Sequence, residues 1–144
     1  MFEEIPKEKV IEYFKNGNFK DLLSYFCRVE ENNIIINYYY FKYLGNMQTY
    51  DIFTNLIIGY IDMVLHTFDK FVVHVSVNKL SVMEIHKHMN YIRKVSDILK
   101  IRYQDKMGTC NIYNVSGIFS QIYEIIVPFI DLDTQQKINL ISKK

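Results

Sequence analysis

Charge of one sign is almost missing from this chain: 17 Lys and Arg stand against 16 Asp and Glu in 144 residues, a net charge of +1. A balance so even argues against a general nucleic-acid binder and leaves any anionic partner to be met by local groups. Cysteine is scarce as well. Cys27 and Cys110 form no CxxC pair, and the N-terminal MFEEIPKEK is charged where a secretory leader is apolar, so a reducing, cytoplasmic setting is expected. Long apolar runs are also lacking. The run NLIIGYIDMVL is interrupted by Asp62 and too short to span a bilayer, so any membrane contact is expected to be peripheral. The five glycines, Gly17, Gly45, Gly59, Gly108 and Gly117, compose neither GxGxxG nor a P-loop, and neither GxSxG nor HExxH occurs. No phosphate-cradling or hydrolase signature remains, and the chain is expected not to be an enzyme. His86 and His88 lie two apart on a predicted helix, where their rings diverge, so neither a shared metal nor another cofactor is expected. Cys110, with strand-forming neighbours and no adjacent base, reads as a small buried hydrophobe and not as a nucleophile.

What is present is apolar and rich in rings. Hydrophobic residues make up 49% and aromatic residues 15%, with 12 Tyr and 10 Phe, which excludes a disordered chain. At this length one domain with one core is expected, and an internal cavity would leave little to spare. Val10, Ile11 and Phe14, then Phe19, Leu22, Leu23 and Phe26 after an Asn-Gly-Asn turn, predict two short helices within residues 1–30. The β-branched and aromatic run IIINYYYFKYLG predicts a strand that stops at Gly45 and Asn46. Thr49 is placed to cap a helix whose face carries Ile52, Phe53, Leu56, Ile57, Tyr60, Val64 and Leu65 and which ends near Phe68. FVVHVSV predicts a short buried strand. Ser81 then opens one long helix with apolar positions at Val82, Ile85, Met89, Ile92, Val95 and Leu99, and CNIYNV predicts a second buried strand after a stop at Lys106, Met107 and Gly108. Strand, helix and strand in that order predict a βαβ unit with parallel strands. An aromatic-rich helix reaching Pro128 follows, then a second helix announced by Asp131, Asp133 and Thr134. The tail at Lys143 and Lys144 is expected to fray. No repeat or low-complexity linker interrupts the series.

Residues 75–108 order a core strand, a long crossover helix and a Tyr103-Gln104-Asp105 turn. Ile112, Asn114 and Phe119 follow at fixed spacing, and then Pro128-Phe129-Ile130-Asp131, Thr134, Lys137 and Ile138. This series resembles the CRAL-TRIO lipid-binding domain of the secretory-pathway phosphatidylinositol/phosphatidylcholine transfer proteins, closely over about half of the chain and more loosely over residues 34–63. It departs at Gln104, at Val115-Ser116 and at Val127, where that family has proline, alanine-proline and lysine. The resemblance implies an α/β fold, a small mixed and largely parallel sheet of about four strands with helices over it, formed by residues 31–144. It also implies a shortened member that lacks the family's N-terminal helical domain and stops where another helix and a closing strand are expected. An exposed apolar edge would then favour a homodimer.

Function follows from the same resemblance. A lipid carrier needs an apolar cavity, a polar station for the headgroup and a movable lid. Val73, Val75, Val77, Ile112, Tyr113 and Val115, with Phe119, Ile122, Ile126 and Phe129, are the cavity candidates; by pattern alone the same residues fill an ordinary core. The resemblance makes the helix over residues 117–130 a gate, hinged at Gly117 and Pro128 and ending at Ile130; by pattern alone it is a packed helix stopped by proline. It places Asp105, Thr134 and Lys137 at an inositol headgroup, although Asp105 equally caps a turn and Lys137 equally sits in solvent. Ser81 falls near the position that reaches a choline lipid's phosphate, and is first of all a good N-cap. Lys79, His86, Lys87, His88, Arg93 and Lys94 form either a wet helix face or a basic patch for an anionic membrane surface. The expected partners are a phospholipid, preferentially an inositol lipid or phosphoinositide, and a transient membrane surface, with no nucleic acid. The alternative is a lipid-free protein-interaction module derived from the same fold.

Overall fold

In the computed structural model, which describes residues 1–142, five strands form one sheet in the spatial order of the chain. They are β1 (Cys27–Glu30), β2 (Asn33–Asn37), β3 (Phe71–Ser76), β4 (Met107–Val115) and β5 (Ile138–Ser142). β1 pairs antiparallel with β2, and every later pairing is parallel. The sheet is thus mixed and largely parallel as expected, with one strand more than the four anticipated. The extra strand, β5, follows α8 directly and pairs parallel with β4. Lys143 and Lys144, expected to fray, lie outside the described residues.

Among the described residues, eight α-helices and one 3-10 turn connect and cover the strands. α1 (Lys7–Lys15) and α2 (Phe19–Phe26) are the two short helices the spacing predicts. α3 (Tyr38–Leu44) was not predicted. The run IIINYYYFKYLG divides at Asn37, whose side chain accepts a hydrogen bond from the Tyr39 N–H at 3.1 Å and so caps a helix. Aromatic β-propensity is overridden by burial, because a helix lets Tyr39, Tyr40, Phe41 and Leu44 all enter the core. α4 (Tyr50–Leu65) starts after Thr49, whose hydroxyl turns back to donate to the Leu44 carbonyl at 2.7 Å.

The long helix expected after Ser81 is two helices, α5 (Val82–Lys87) and α6 (Met89–Arg102). His88 separates them with ψ 15°, and its buried ring reaches Tyr50, Nδ1 lying 2.6 Å from the phenol oxygen. Of the stop expected over Lys106-Met107-Gly108, Met107 and Gly108 instead begin β4, with a register shift against β3 between Phe71 and Val73. α7 (Phe119–Ile126) continues as a 3-10 turn, Val127–Phe129, carrying Pro128. α8 (Leu132–Gln135) is a single turn before β5, where a longer helix was expected.

The strands present two unlike faces, since successive side chains alternate. One face carries Ile34, Ile36, Phe71, Val73, Cys110 and Ile112 toward α4, α6 and α7. The other is polar. His74 lies between Asn33 Oδ1 and the Tyr113 hydroxyl, each 2.8 Å from a ring nitrogen, and Asn139 Nδ2 donates to Asn111 Oδ1 at 3.0 Å. Residues 1–5 are tied to the molecule by tyrosines: Tyr39 donates to the Ile5 carbonyl and Tyr40 to the Glu3 carbonyl, both at 2.6 Å. Phe2 completes the attachment, its ring 5.2 Å from that of Tyr113.

Candidate functional site

The helices do not close over the apolar face of the sheet. A cavity of about 550 Å³ lies between β2, β3, β4 and β5 on one side and α4, α6, α7 and the Val127–Phe129 turn on the other. Its size falls within the ~300–1,000 Å³ of ordinary ligand pockets. The behaviour of α6 shows that this space is a cavity and not loose packing. The helix presents Val95 and Leu99, one turn apart, toward the sheet, yet none of its residues is buried. An apolar helix face directed inward but left accessible implies that something is missing between helix and sheet.

The lining combines two kinds of residue. Ile34, Ile36, Ile57, Ile61, Val73 and Ile112 make a wholly hydrocarbon surface. Asp105, Asp131, Asp133, Thr134, Lys137 and Lys100 supply a polar portion, drawn from α6 and the turn after it, from α8 and its N-cap, and from the approach to β5. Local backbone places these groups. Asp105 takes φ 61°, in the left-handed region that Asp tolerates better than most residues. The Gln135 side chain donates to the Ile130 carbonyl at 2.7 Å, holding the 3-10 turn against α8. Lys137, two residues beyond, pairs with Asp133 at 3.6 Å. Arg93 lies over the Phe129 ring at 4.5 Å, tying α6 to the end of α7.

Tyr103, two residues before Asp105, also lines the cavity. Its hydroxyl donates to Asp62 Oδ1 at 2.7 Å, and Asp62 also pairs with Arg102 at 2.8 Å. Burial, reinforced by the Asp62 carboxylate, pushes the Tyr103 phenol up to about 12. The hydrogen bond from Arg102, with that from Tyr103, holds the Asp62 carboxyl below its usual range. The Cys110 thiol faces the cavity, and burial pushes it up to about 12, so it stays protonated at neutral pH.

The expected site residues divide into three groups. Val73, Ile112, Ile126 and Phe129 line the cavity, as do Asp105, Thr134 and Lys137. Val75, Val77, Val115, Phe119 and Ile122 pack instead with Ile85 in a compact cluster beneath α5 and α7. Phe119 and Ile122 are buried there, so α7 is anchored along that side while Tyr123 and Ile126 look into the cavity. Gly117 is exposed in the turn before α7, and Pro128 is exposed in the 3-10 turn after it. Tyr113 is on the polar face of the sheet, bonded to His74. Ser81 lies outside the lining; its hydroxyl accepts from the Glu84 N–H at 3.2 Å and caps α5.

Sequence reasoning missed Ile34 and Ile36, Ile57 and Ile61, and Val95 and Leu99 as lining. Each pair has the spacing that puts two side chains on one face, two along a strand and four along a helix, so the signal existed without saying what the face meets. Among the described residues no group of three or more His, Cys, Asp or Glu is disposed to hold a metal ion, and no helix is long and apolar enough to cross a membrane.

The sequence profile of the CRAL/TRIO domain matches residues 31–144. The chain belongs to that family. The crystal structure of Sfh5 superposes with a TM-score of 0.68 at 19% identity, covering 76% of this chain. The likeness in fold is therefore firm where the sequences have diverged. This chain spans 41% of the length of the Sfh5 chain. No curated protein matches it.

Proposed function

We propose that the chain binds a phospholipid and exchanges it between membranes, with acyl carbon in the cavity and the headgroup at Asp105, Thr134 and Lys137. One observation carries this reading: a single cavity is lined both by a large hydrocarbon set and by a small set of charged and polar groups, as an amphiphile requires. Each methylene moved from water into that space contributes about 0.8 kcal/mol, so the chains supply affinity and the polar portion chooses the headgroup. Membership of the CRAL/TRIO family supports lipid over other amphiphiles. An inositol lipid or phosphoinositide is the favoured ligand, its hydroxyls donating to Asp105 and its phosphate meeting the Lys137 ammonium. Residues 117–130, hinged at Gly117 and Pro128, form the gate, opened at the cytoplasmic surface of a membrane to which the chain binds peripherally. Nothing is chemically transformed, and the bound lipid is the sole ligand.

Native mass spectrometry of the purified protein, with extraction and headgroup identification, tests the reading. A bound inositol phospholipid is expected. An empty chain that also extracts no labelled lipid from liposomes overturns it. Lys137→Ala is expected to weaken uptake of inositol lipids more than of choline lipids; equal losses would remove Lys137 from the headgroup.

A second reading, the lipid-free interaction module, has one feature in its favour. The edge strand β5 leaves Leu140 and Ile141 exposed on opposite faces, and a second copy of the chain paired there would cover both. Sedimentation equilibrium checks this homodimer, and a mass independent of concentration and equal to one chain sinks it.

A further inference from the structure

Lys137 is not a free cation. Its ammonium is 3.6 Å from Asp133, one helical turn earlier, and its side chain is 22% exposed against 63% for the aspartate. The half-buried lysine is thus held from the solvent side by a carboxylate that itself lines the cavity. Across the polar portion, Asp105, Asp131 and Asp133 outnumber Lys100 and Lys137. An anionic headgroup therefore arrives at a surface whose local balance opposes it, and its phosphate must take over a lysine already engaged.

We propose that Asp133 is a specificity-determining counter-ion: it occupies Lys137 in the unloaded protein, is displaced by the lipid phosphate, and thereby sets how strongly a headgroup's negative charge is tolerated. This rests on the reading of Lys137 as the phosphate contact. Exchange of one anion for another around a fixed ammonium makes binding weaker than the lysine alone would give. In return the half-buried Lys137 ammonium keeps a counter-ion when the cavity lacks a headgroup. Polyphosphorylated headgroups are penalised most, because each added charge meets carboxylates that outnumber the cations of the lining.

The test is a double-mutant cycle on Asp133 and Lys137, reading uptake of phosphatidylinositol from phosphatidylcholine vesicles doped with it, at low and high salt. Asp133→Asn is expected to tighten uptake by about two- to fivefold, the size of a released surface ion pair, with the gain shrinking as salt rises. Asp133→Glu, which keeps a carboxylate within reach of Lys137, is expected to behave as the unmodified chain. In a Lys137→Ala background the Asp133→Asn gain is expected to vanish. A gain that persists in full there would mean general repulsion and would overturn the proposal, as would no gain in the single variant. An unmodified chain that takes up no phosphatidylinositol overturns the lipid reading and this proposal together. Normal uptake left unchanged by Asp133→Asn overturns only the counter-ion.

Discussion

The half of the molecule built on α1 to α4 and the half built on α6, α7 and β3 to β5 spend their apolar residues differently. In the first, Phe26, Phe41 and Phe53 are buried with Leu22, Tyr40 and Leu44 in a continuous core. Phe53 alone touches three other rings, with centroids 4.6 Å from Phe26, 5.2 Å from Phe41 and 6.2 Å from Phe19. In the second, Val95, Leu99, Ile126 and Phe129 are equally apolar but half-buried, because they surround a cavity. The hollow half therefore draws its rigidity from its neighbour. A small domain keeps an open apolar cavity only if the stability forgone there is supplied elsewhere, and the ring cluster is where it is supplied.

The largest effect that would break this division is loss of a ring from the packed half. Phe53→Ala removes a fully buried side chain with three aromatic neighbours and should cost about 3–5 kcal/mol in urea unfolding, a large share of the ~5–15 kcal/mol of a typical domain. A cost below about 1 kcal/mol would show that the ring cluster is not what holds the fold.

Enlarging a residue in each half sharpens the comparison. Leu22→Phe inserts volume where none is free and should destabilise by about 1–3 kcal/mol. Val73→Phe inserts it into the cavity and should change stability by less than about 1 kcal/mol while abolishing lipid uptake. If both variants unfold alike, the space beside Val73 is not available, and the cavity reading of that face fails.

Much of the hollow half was legible in the sequence. FVVHVSV has the apolar character of a buried parallel strand, and residues 119–126 have helical spacing, so β3 and α7 fall where the pattern puts them. Asp105, Thr134 and Lys137 were named by family resemblance, and no spacing rule joins a turn at residue 105 to a helical turn at residue 134. Two features were hidden for physical reasons. Tyr38 to Tyr40 favour a strand by propensity, and only the Asn37 cap and the burial of α3 reverse that preference. The break at His88 leaves the apolar spacing of Ile85, Met89 and Ile92 continuous, so periodicity cannot reveal it. The cavity itself was undecidable from pattern, since Val95 and Leu99 look the same whether they face side chains or empty space.

His88 offers a smaller effect at the seam between the halves. Its ring is buried against Phe41 and Tyr50, and that burial, with the nearby Lys87 charge, lowers its pKa below the ordinary 6.5. The unfolded chain then binds a proton that the folded one refuses, so stability is fully present above pH ~6.5 and falls as pH drops from there toward the folded value. His74 contributes in the same direction through its own burial. Denaturant unfolding between pH 7.5 and 5 should show this slope, and His88→Gln should flatten it in part. A variant with the full slope would assign the dependence to His74 and the carboxylates.

The smallest effect uses the two cysteines, one in each half. Burial pushes both thiols up to about 12, so at neutral pH neither has a reactivity advantage and access alone separates them. Cys27 is 0% exposed within the ring cluster, whereas Cys110 is half-buried and faces the cavity. A small apolar maleimide should therefore modify Cys110 slowly and Cys27 only on unfolding, and saturating phospholipid should protect Cys110. The protection is the discriminating part, because a thiol reached through chance opening of α7 would react at the same rate with or without lipid. Equal rates would move the ligand away from β4, and with it the lining on which the contrast between the two halves depends.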